Sequence, residues 1–233
     1  ALVDMGATAG QRLLVAVHNL VCDRLSLGIL REDIDRLCAA AANDTLPLLG
    51  PKTAPFRRWA TDLVSYAGSE GAQAEIDFWR ALPWRDAASL RREPDCPHEL
   101  HETTFALAEP QTQILLNDLP RQNRFHVLPG LLTCLAEAYH FATGSRLLYV
   151  ELMDNGRVNP LGPEDLSRTI GCFTAAFPAA LRIDPRLNYV QQAQSIEQQL
   201  RQIPHAGVAF GAFRDDQRLG DQRPPRPSVR FNY

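Results

Sequence analysis

The chain has 233 residues, 45% of them hydrophobic and 22% charged, which is typical of a folded globular protein. With 24 basic and 27 acidic residues the net charge is −3, so the composition gives no indication of nucleic-acid binding. No apolar run approaches the ~18 residues that a membrane span needs, and the first residues do not show the basic-then-apolar pattern that is typical of a secretory signal. The five cysteines are widely spaced without a CxxC pair, which argues against a disulfide framework or a metal site and favours a reducing cytoplasm.

The first half of the chain is predicted to form a strand, a helix, a loop and two further helices. Residues 12–19 are a mostly apolar run that ends in polar residues, which is typical of a buried strand. Apolar residues then recur at helical spacing from Leu27 to Leu37, with Asp23 or Ser26 as the helix cap. Proline, glycine and threonine predict a loop at 45–55, and two amphipathic helical stretches follow at 56–82.

The second half has its own alternation of strands and helices. Residues 83–102 are polar and contain prolines, so we expect a linker between two units, 1–98 and 99–233. His98 and His101 in this linker have weakly metal-like spacing, which chance explains better. Beyond the linker the pattern predicts a strand at 103–107, helices at 110–119 and 127–141, a buried strand at 146–152, a loop at 154–166, a strand within 170–183, a helix at 190–203, and a loop at 204–214 leading to a last strand. The fold class is therefore α/β.

Four segments in order carry a recognisable motif pattern. They are residues 17–24 (VHNLVCDR) with the helix that follows, residues 75–82 (EIDFWRAL), residues 165–178 (DLSRTIGCFTAAFP), and residues 203–211 (IPHAGVAFG) with a later FNY at 231–233. Together they resemble the HHxxxDG, FW, DLSRTVGWFT and IPNKGIGYG–FNY motifs of condensation domains from nonribosomal peptide synthetases. The DLSRT sequence and the Asn155-Gly156-Arg157 stretch are more similar to epimerization domains than to ordinary condensation domains. The X domains, which are inactive relatives in the same family, are similar as well.

The resemblance implies a fold and a set of partners. Members of the family have two chloramphenicol-acetyltransferase-like lobes, each a mixed sheet with flanking helices, which face a tunnel. The chain would comprise the end of the N-terminal lobe (1–98) and most of the C-terminal lobe (99–233). Its first residue is not methionine and its last strand stops in mid-pattern, so we expect a fragment of a longer polypeptide. Peptidyl carrier proteins would deliver substrates on phosphopantetheine, with no bound cofactor, and a tailoring oxygenase is a further candidate partner.

The HHxxxDG motif is altered at its chemically active positions. In the family the second histidine acts as a base at the tunnel centre, a task that suits imidazole. Here His18 occupies the first position and Asn19 the second, and an amide cannot titrate. Asp23 matches the structural aspartate, and Arg24 replaces a glycine, so that it either narrows the tunnel or pairs with Asp23. A satisfied core histidine is the plainer interpretation of His18.

The glutamate motif of epimerization domains, EGHGR, is altered as well. Alignment on Gly156 and Arg157 puts Met153 at the glutamate and Asn155 at the histidine. Glu151 shares a strand face with Met153, but we do not expect it to substitute. Arg157 and a second arginine, Arg168, are expected to orient loops or meet a partner, with a surface ion pair as the plainer interpretation. Ser167 has no histidine or acid at a recognisable spacing and is not interpreted as a nucleophile.

Three functional hypotheses follow from these substitutions. The first is a condensation or epimerization-type domain with a degenerate motif, which works as a non-catalytic scaffold that docks carrier proteins or a tailoring enzyme. The alternative is an active condensation or epimerization domain that acts on carrier-tethered aminoacyl or peptidyl thioesters, since tethering alone supplies much of a rate. A remnant without function is the third.

Overall fold

The computed structural model describes residues 1–6, 10–88, 102–214 and 216–233. Its α-helices are α1 (Arg24–Ala42), α2 (Phe56–Ala67), α3 (Gln73–Arg80), α4 (Glu109–Gln113), α5 (Leu119–Asn123), α6 (Val127–Thr143), α7 (Tyr189–Arg201) and α8 (Phe210–Phe213), and a π-helical segment (Ile114–Asp118) joins α4 to α5. Its strands are β1 (Leu2–Asp4), β2 (Gln11–Leu13), β3 (Leu147–Asp154), β4 (Ala175–Arg182) and β5 (Val229–Phe231). Within these ranges no helix is both long enough and apolar enough to cross a bilayer.

A three-stranded mixed sheet, in the order β4-β3-β5, organises the second half of the chain. β4 runs antiparallel to β3 with Val150 opposite Ala179, and β5 runs parallel to β3 with Val150 opposite Val229. Leu148, Val150 and Leu152 share one face of β3 and are at most 4% exposed. A mixed sheet with flanking helices is the α/β architecture that the sequence predicted.

One hydrophobic core joins this sheet to helices from both halves of the chain. α3 contributes Ile76 and Trp79, α6 contributes Leu132 and α7 contributes Ile196, and all four side chains are fully buried. They belong to the same cluster as the buried face of β3 and β4. The two predicted units therefore share a core, while the boundary itself, at residue 98, lies outside the described residues and stays a prediction.

The buried strand predicted at residues 12–19 is wrong. Only β2 is extended there, and it pairs with β1 in an exposed two-stranded hairpin in which Val3 faces Arg12. The rest of the run is irregular, and Leu14 is 61% exposed. An apolar run is buried as a strand only where neighbours cover both of its faces. Among the described residues, β1 is the one strand that pairs with β2.

The strand predicted at residues 103–107 is also wrong. The segment alternates like a strand, but no described strand pairs with it and Phe105 is 89% exposed. Residues 204–214 are not a plain loop either, because Phe210 and Phe213 pack into the core on the short helix α8. The other predicted elements are confirmed, namely the helix after Asp23, the helices at 56–82, 110–119, 127–141 and 190–203, and the strands at 146–152 and within 170–183.

Removal of side-chain volume from the shared core should destabilise the fold. Ile76→Ala deletes buried methyl and methylene groups, so we expect the free energy of unfolding to fall by about 2–5 kcal/mol. The control is Val64→Ala on α2, which is 70% exposed and should change this free energy by about 0.5 kcal/mol or less. Urea unfolding followed by tryptophan fluorescence measures both variants. Equal effects would show that Ile76 is not a core residue.

Candidate functional site

Asp23 and Arg157 form a buried ion pair across 134 positions of sequence. Arg157 Nη2 lies 2.9 Å from Asp23 Oδ1 and 3.2 Å from Oδ2, and the two side chains are only 8% (Arg157) and 6% (Asp23) exposed. Loss of either partner would leave the other charge buried without a counter-charge, which is a costly arrangement. The pair therefore fixes the start of α1 against the segment that follows β3.

The Asp23 carboxylate also caps α1. Its Oδ1 accepts the Ser26 amide at 2.7 Å and its Oδ2 accepts the Phe173 amide at 3.1 Å. Burial by itself would raise the pKa of Asp23. The hydrogen bonds from Ser26 and Phe173, together with the charge of Arg157, outweigh burial and hold the pKa of Asp23 below its ordinary value. Asp23 is therefore an anion at neutral pH.

A tight turn after β3 brings Arg157 to this position. Gly156 has φ +65°, and a Cβ there would lie 1.8 Å from the Phe173 carbonyl oxygen, so only glycine fits. Asn155 Oδ1 accepts the Arg157 amide at 3.0 Å, which closes an Asx turn. The Asn155-Gly156-Arg157 stretch is thus a tight turn that places the Arg157 guanidinium next to Asp23.

Arg157 also organises the 165–174 loop. Its Nη1 donates to the carbonyl oxygens of Leu166 at 3.1 Å and Thr169 at 2.8 Å. Its guanidinium carbon lies 4.3 Å from the centroid of the Phe173 ring, within the range of a cation–π contact. One side chain therefore holds the aspartate, the loop backbone and an aromatic ring together.

Two further links fasten this loop to α1. Ser26 Oγ donates to the Gly171 carbonyl oxygen at 2.9 Å and accepts the Gly171 amide at 3.0 Å. Arg168 donates to Glu32 at 2.8 Å and to Asp33 at 2.5 Å. Arg168 and its two partners are partly exposed, so these outer pairs contribute less than the buried one.

The two histidine positions of the motif lie in an exposed turn. His18 Nδ1 accepts the Leu20 amide at 3.1 Å, and the His18 carbonyl oxygen accepts the Val21 amide at 3.0 Å. The interpretation of His18 as a core histidine is wrong, because its side chain lies at the surface of the chain. Asn19 occupies the same turn and is exposed as well.

Arg24 and Ser167 stand apart from the buried pair. Arg24 is the exposed first residue of α1, and it does not pair with Asp23, whose carboxylate is held by Arg157 instead. Ser167 is exposed, and its amide donates to Asp165 Oδ1 at 2.9 Å.

Met153 is a half-buried residue of β3, opposite Ala176. Glu151 pairs with Arg226 at 3.4 Å and also with Arg230. Two arginines therefore neutralise the glutamate that shares a strand face with Met153. The structure brings together Asp23, Arg157 and the loop, and it leaves the histidine-motif turn at the surface.

Sequence reasoning missed a polar cluster beneath α2 and α3. Glu75 is 2% exposed and accepts from Tyr66 Oη at 2.9 Å, Trp79 Nε1 at 3.1 Å and His205 Nδ1 at 2.9 Å. Burial, together with the hydrogen bond to Glu75, raises the pKa of Tyr66 well above its ordinary value. The i, i+4 spacing of Glu75 and Trp79 is the only sequence signal, and it is common on exposed helices.

The metal-like histidines of the linker, His98 and His101, lie outside the described residues. Among the residues that the structure does describe, no three metal-ligating side chains cluster.

The chain belongs to the condensation-domain family, because the family model described as "Condensation domain" matches residues 2–232. It is 33% identical over 239 residues to a linear gramicidin synthase of Brevibacillus parabrevis, covering 99% of this chain and 3% of that protein. It is 34% identical over 244 residues to chondramide synthase cmdD of Chondromyces crocatus, covering 100% of this chain and 6% of that protein. The chain therefore spans a small part of these relatives.

Solved structures show the same fold. The epimerization domain from the third module of tyrocidine synthetase B matches with a TM-score of 0.73 and 27% identity, covering 96% of this chain and 53% of that one. The first condensation domain of the CDA synthetase matches with a TM-score of 0.65 and 18% identity, covering 93% of this chain and 46% of that one. The chain spans about half of each domain, and the predicted α/β fold of the condensation family is confirmed.

Loss of the buried Arg157 guanidinium should lower the free energy of unfolding far more than loss of the partly exposed Arg168 guanidinium. Arg157→Met leaves Asp23 buried without a counter-charge, so we expect the free energy of unfolding to fall by about 3–5 kcal/mol. Arg168→Met removes only partly exposed ion pairs and should cost about 1 kcal/mol or less. Urea unfolding compares the two variants. Equal decreases in the free energy of unfolding would contradict the conclusion that Arg157 holds the site together.

The lowered pKa of Asp23 predicts a loss of stability on the acid side. An unfolded aspartate has a pKa of about 3.9, so the stability contributed by Asp23 is complete above that pH and is lost as pH falls through the lower folded pKa. The difference in unfolding free energy between wild type and Asp23→Asn should therefore shrink as the pH falls below about 4. Asp35→Asn, on the exposed side of α1, is the control. A difference that stays constant with pH would show that the pKa is not lowered.

Proposed function

We propose that this domain binds carrier-tethered aminoacyl or peptidyl groups, or docks a tailoring enzyme, in cytoplasmic nonribosomal peptide biosynthesis without transferring a proton. One observation carries the proposal. The buried Asp23–Arg157 framework is complete, while the two positions that move protons in the related motifs hold Asn19 and Met153. Neither a carboxamide nor a thioether takes up a proton near neutral pH.

The remaining histidine is poorly placed to act as a base. A neutral imidazole has one unprotonated nitrogen, and in His18 that nitrogen is Nδ1, because it accepts the Leu20 amide at 3.1 Å. The proton then resides on Nε2, which is a donor. For His18 to remove a proton from a substrate, it would first have to break its bond to its own turn.

The carboxylates near position 153 do not supply a base either. Glu151 forms ion pairs through both of its carboxylate oxygens, one with Arg226 and one with Arg230, so neither oxygen is free to approach a substrate proton. Asp154 Oδ1 accepts the Gly156 amide at 3.1 Å at the start of the structural turn. Two-base epimerization therefore lacks both bases.

Binding does not depend on the lost groups. The motif loop is fixed by the buried pair, by Ser26 and by the Phe173 contact, so the surface that meets substrate is retained. The resemblance to condensation domains supports peptidyl carrier domains as partners, with the substrate on their phosphopantetheine. The resemblance to X domains supports a tailoring oxygenase as a second partner.

A deuterium-exchange experiment separates binding from chemistry. The chain is mixed in D2O with a peptidyl carrier domain that bears an aminoacyl phosphopantetheine. We expect saturable carrier binding by fluorescence anisotropy. By mass spectrometry we expect α-deuterium incorporation no faster than in the loaded carrier alone.

The control variants make the outcome decisive. Exchange above background that disappears in Asn19→Ala and persists in Ser167→Ala would overturn the non-catalytic role and favour an active epimerization or condensation domain. Absence of carrier binding would overturn the proposed binding of carrier-tethered groups.

A further inference from the structure

The mixed sheet has an open edge along β4. Among the described residues β4 pairs with β3 alone, so its other side has no strand partner. Just beyond the end of β4, the Ile183 amide donates to the Arg146 carbonyl oxygen at 3.0 Å, so this position bonds towards β3. Backbone groups alternate between the two sides of an antiparallel strand, so those of Arg182, Ala180 and Pro178 point away from β3. They form a row along the open edge.

The side chain of Gln199 already occupies one end of this edge. Its Oε1 accepts the Arg182 amide at 2.8 Å, and its Nε2 donates to the Arg182 carbonyl oxygen at 2.9 Å. One carboxamide thus makes both of the bonds that a neighbouring strand would make. No described side chain bonds to the backbone of Ala180 in this way. Pro178 has no N–H, so it offers only its carbonyl oxygen.

A groove lies beside the open edge. It has a volume of about 430 Å³, with Phe78, Leu82 and Pro83 on the side of α3 and Gln199 among the residues on the side of α7. Five residues of β4 line it, from position 178 to position 182, a length of about 13 Å at about 3.3 Å per residue. Because helices stand on both sides, the groove admits a single extended chain more readily than the edge of a second folded sheet.

The groove continues at Arg182 into a basic cleft. Arg182 lines both, and the cleft adds Arg146, Arg186 and Asp184. Arg186 pairs with Asp184 at 2.6 Å, and Arg182 pairs with Asp86 at 3.2 Å. Arg146 makes no direct ion pair with a described residue, although its charge reaches Asp184. Three arginines therefore face two aspartates, and this excess of positive charge favours an acidic group at this end of the groove.

We propose that the open edge of β4 binds an extended acidic peptide segment of a partner protein, which joins the sheet as an antiparallel strand. The segment bonds through its backbone to Ala180 and to the Pro178 carbonyl oxygen. Its apolar side chains contact Phe78 and Leu82. An acidic residue at its N-terminal end lies beside Arg146, because an antiparallel segment begins where β4 ends.

Strand addition of this kind takes its affinity from main-chain hydrogen bonds and its specificity from alternate side chains. The groove and the cleft share no residue with the Asp23–Arg157 pair or with the turn at His18 and Asn19. The inference therefore does not rest on the proposed function.

Fluorescence anisotropy with the whole chain tests the proposal. The probe is an N-acetylated Asp-Val-Thr-Val-Thr peptide that carries fluorescein on an added C-terminal lysine. A second peptide has Asn in place of Asp and so lacks the charge. A third has N-methyl groups on its valines and threonines, so these residues cannot donate backbone hydrogen bonds.

We expect the acidic peptide to bind saturably. The Asn peptide should need about threefold to fivefold higher concentration, because it lacks one exposed ion pair. The N-methylated peptide should need at least about tenfold higher concentration, because it lacks the main-chain bonds.

Two variants of the chain locate the binding. Arg146→Met should weaken the acidic peptide about threefold to fivefold and leave the Asn peptide unchanged, while Arg121→Met, at an exposed position of α5, is the matched control and should change neither. Ala180→Pro removes the N–H at a position where an edge strand tolerates proline, and it should weaken both peptides about tenfold.

An acidic peptide that does not bind, or that binds no better than its N-methylated form, would overturn the proposal. Equal effects of Arg146→Met and Arg121→Met would overturn it as well. A dimer in sedimentation velocity that Ala180→Pro dissociates would assign the edge to a second copy of the chain instead. Because the peptides contain neither a carrier nor a thioester, these results are independent of the carrier-binding experiment.

Discussion

The architecture around the motif depends on one buried ion pair. Asp23 and Arg157 are each less than a tenth exposed, and an ion pair in such a place is tolerable only when its remaining donors and acceptors are used. The neighbouring groups meet most of this demand, and among the described residues only Arg157 Nε of the pair is buried without a hydrogen-bond partner. Ser26 and the Phe173 amide donate to the carboxylate, and two loop carbonyl oxygens accept from the guanidinium. The first turn of α1, the turn after β3 and the 165–174 loop are therefore parts of one arrangement.

This constraint explains which parts of the motif survive. Asp23, Gly156 and Arg157 cannot change without leaving a buried charge or a steric clash, so they are tied to stability. His18 and Asn19 lie in an exposed turn that the core does not hold, so substitution there has little structural cost. The proposed loss of chemistry with retention of the fold is compatible with this arrangement, because the histidine-motif turn and the buried pair are physically separate.

Helices were predictable from the sequence, because their apolar spacing reports burial within a single element. α1, α6 and α7 follow their 3.6-residue pattern, and β3 follows its apolar run. The strand expected at residues 12–19 failed because strand burial depends on partners that the local sequence does not contain. The strand expected around Phe105 failed for the same reason, since alternation without a neighbouring strand leaves an exposed extended segment.

The candidate site was predictable as a set of positions through family resemblance, but its geometry was not. Gly171 lies 145 residues from its partner Ser26 and Phe173 lies 150 residues from its partner Asp23, so no local pattern indicates that these two residues complete the site. Sequence reasoning offered Arg24 as a partner for Asp23 because it is adjacent, whereas the fold supplies Arg157. Glu75 was missed because a glutamate in the first turn of an amphipathic helix is ordinarily solvated.

A double-mutant cycle on the free energy of unfolding tests the central claim most directly. The variants are Asp23→Asn, Arg157→Met and the double substitution, measured at neutral pH by urea denaturation. If the buried pair is the interaction on which the loop and α1 depend, the double variant should be less destabilised than the sum of the singles by about 2–3 kcal/mol. Single effects that add to within about 0.5 kcal/mol would contradict this claim, because additivity is the behaviour of independent sites.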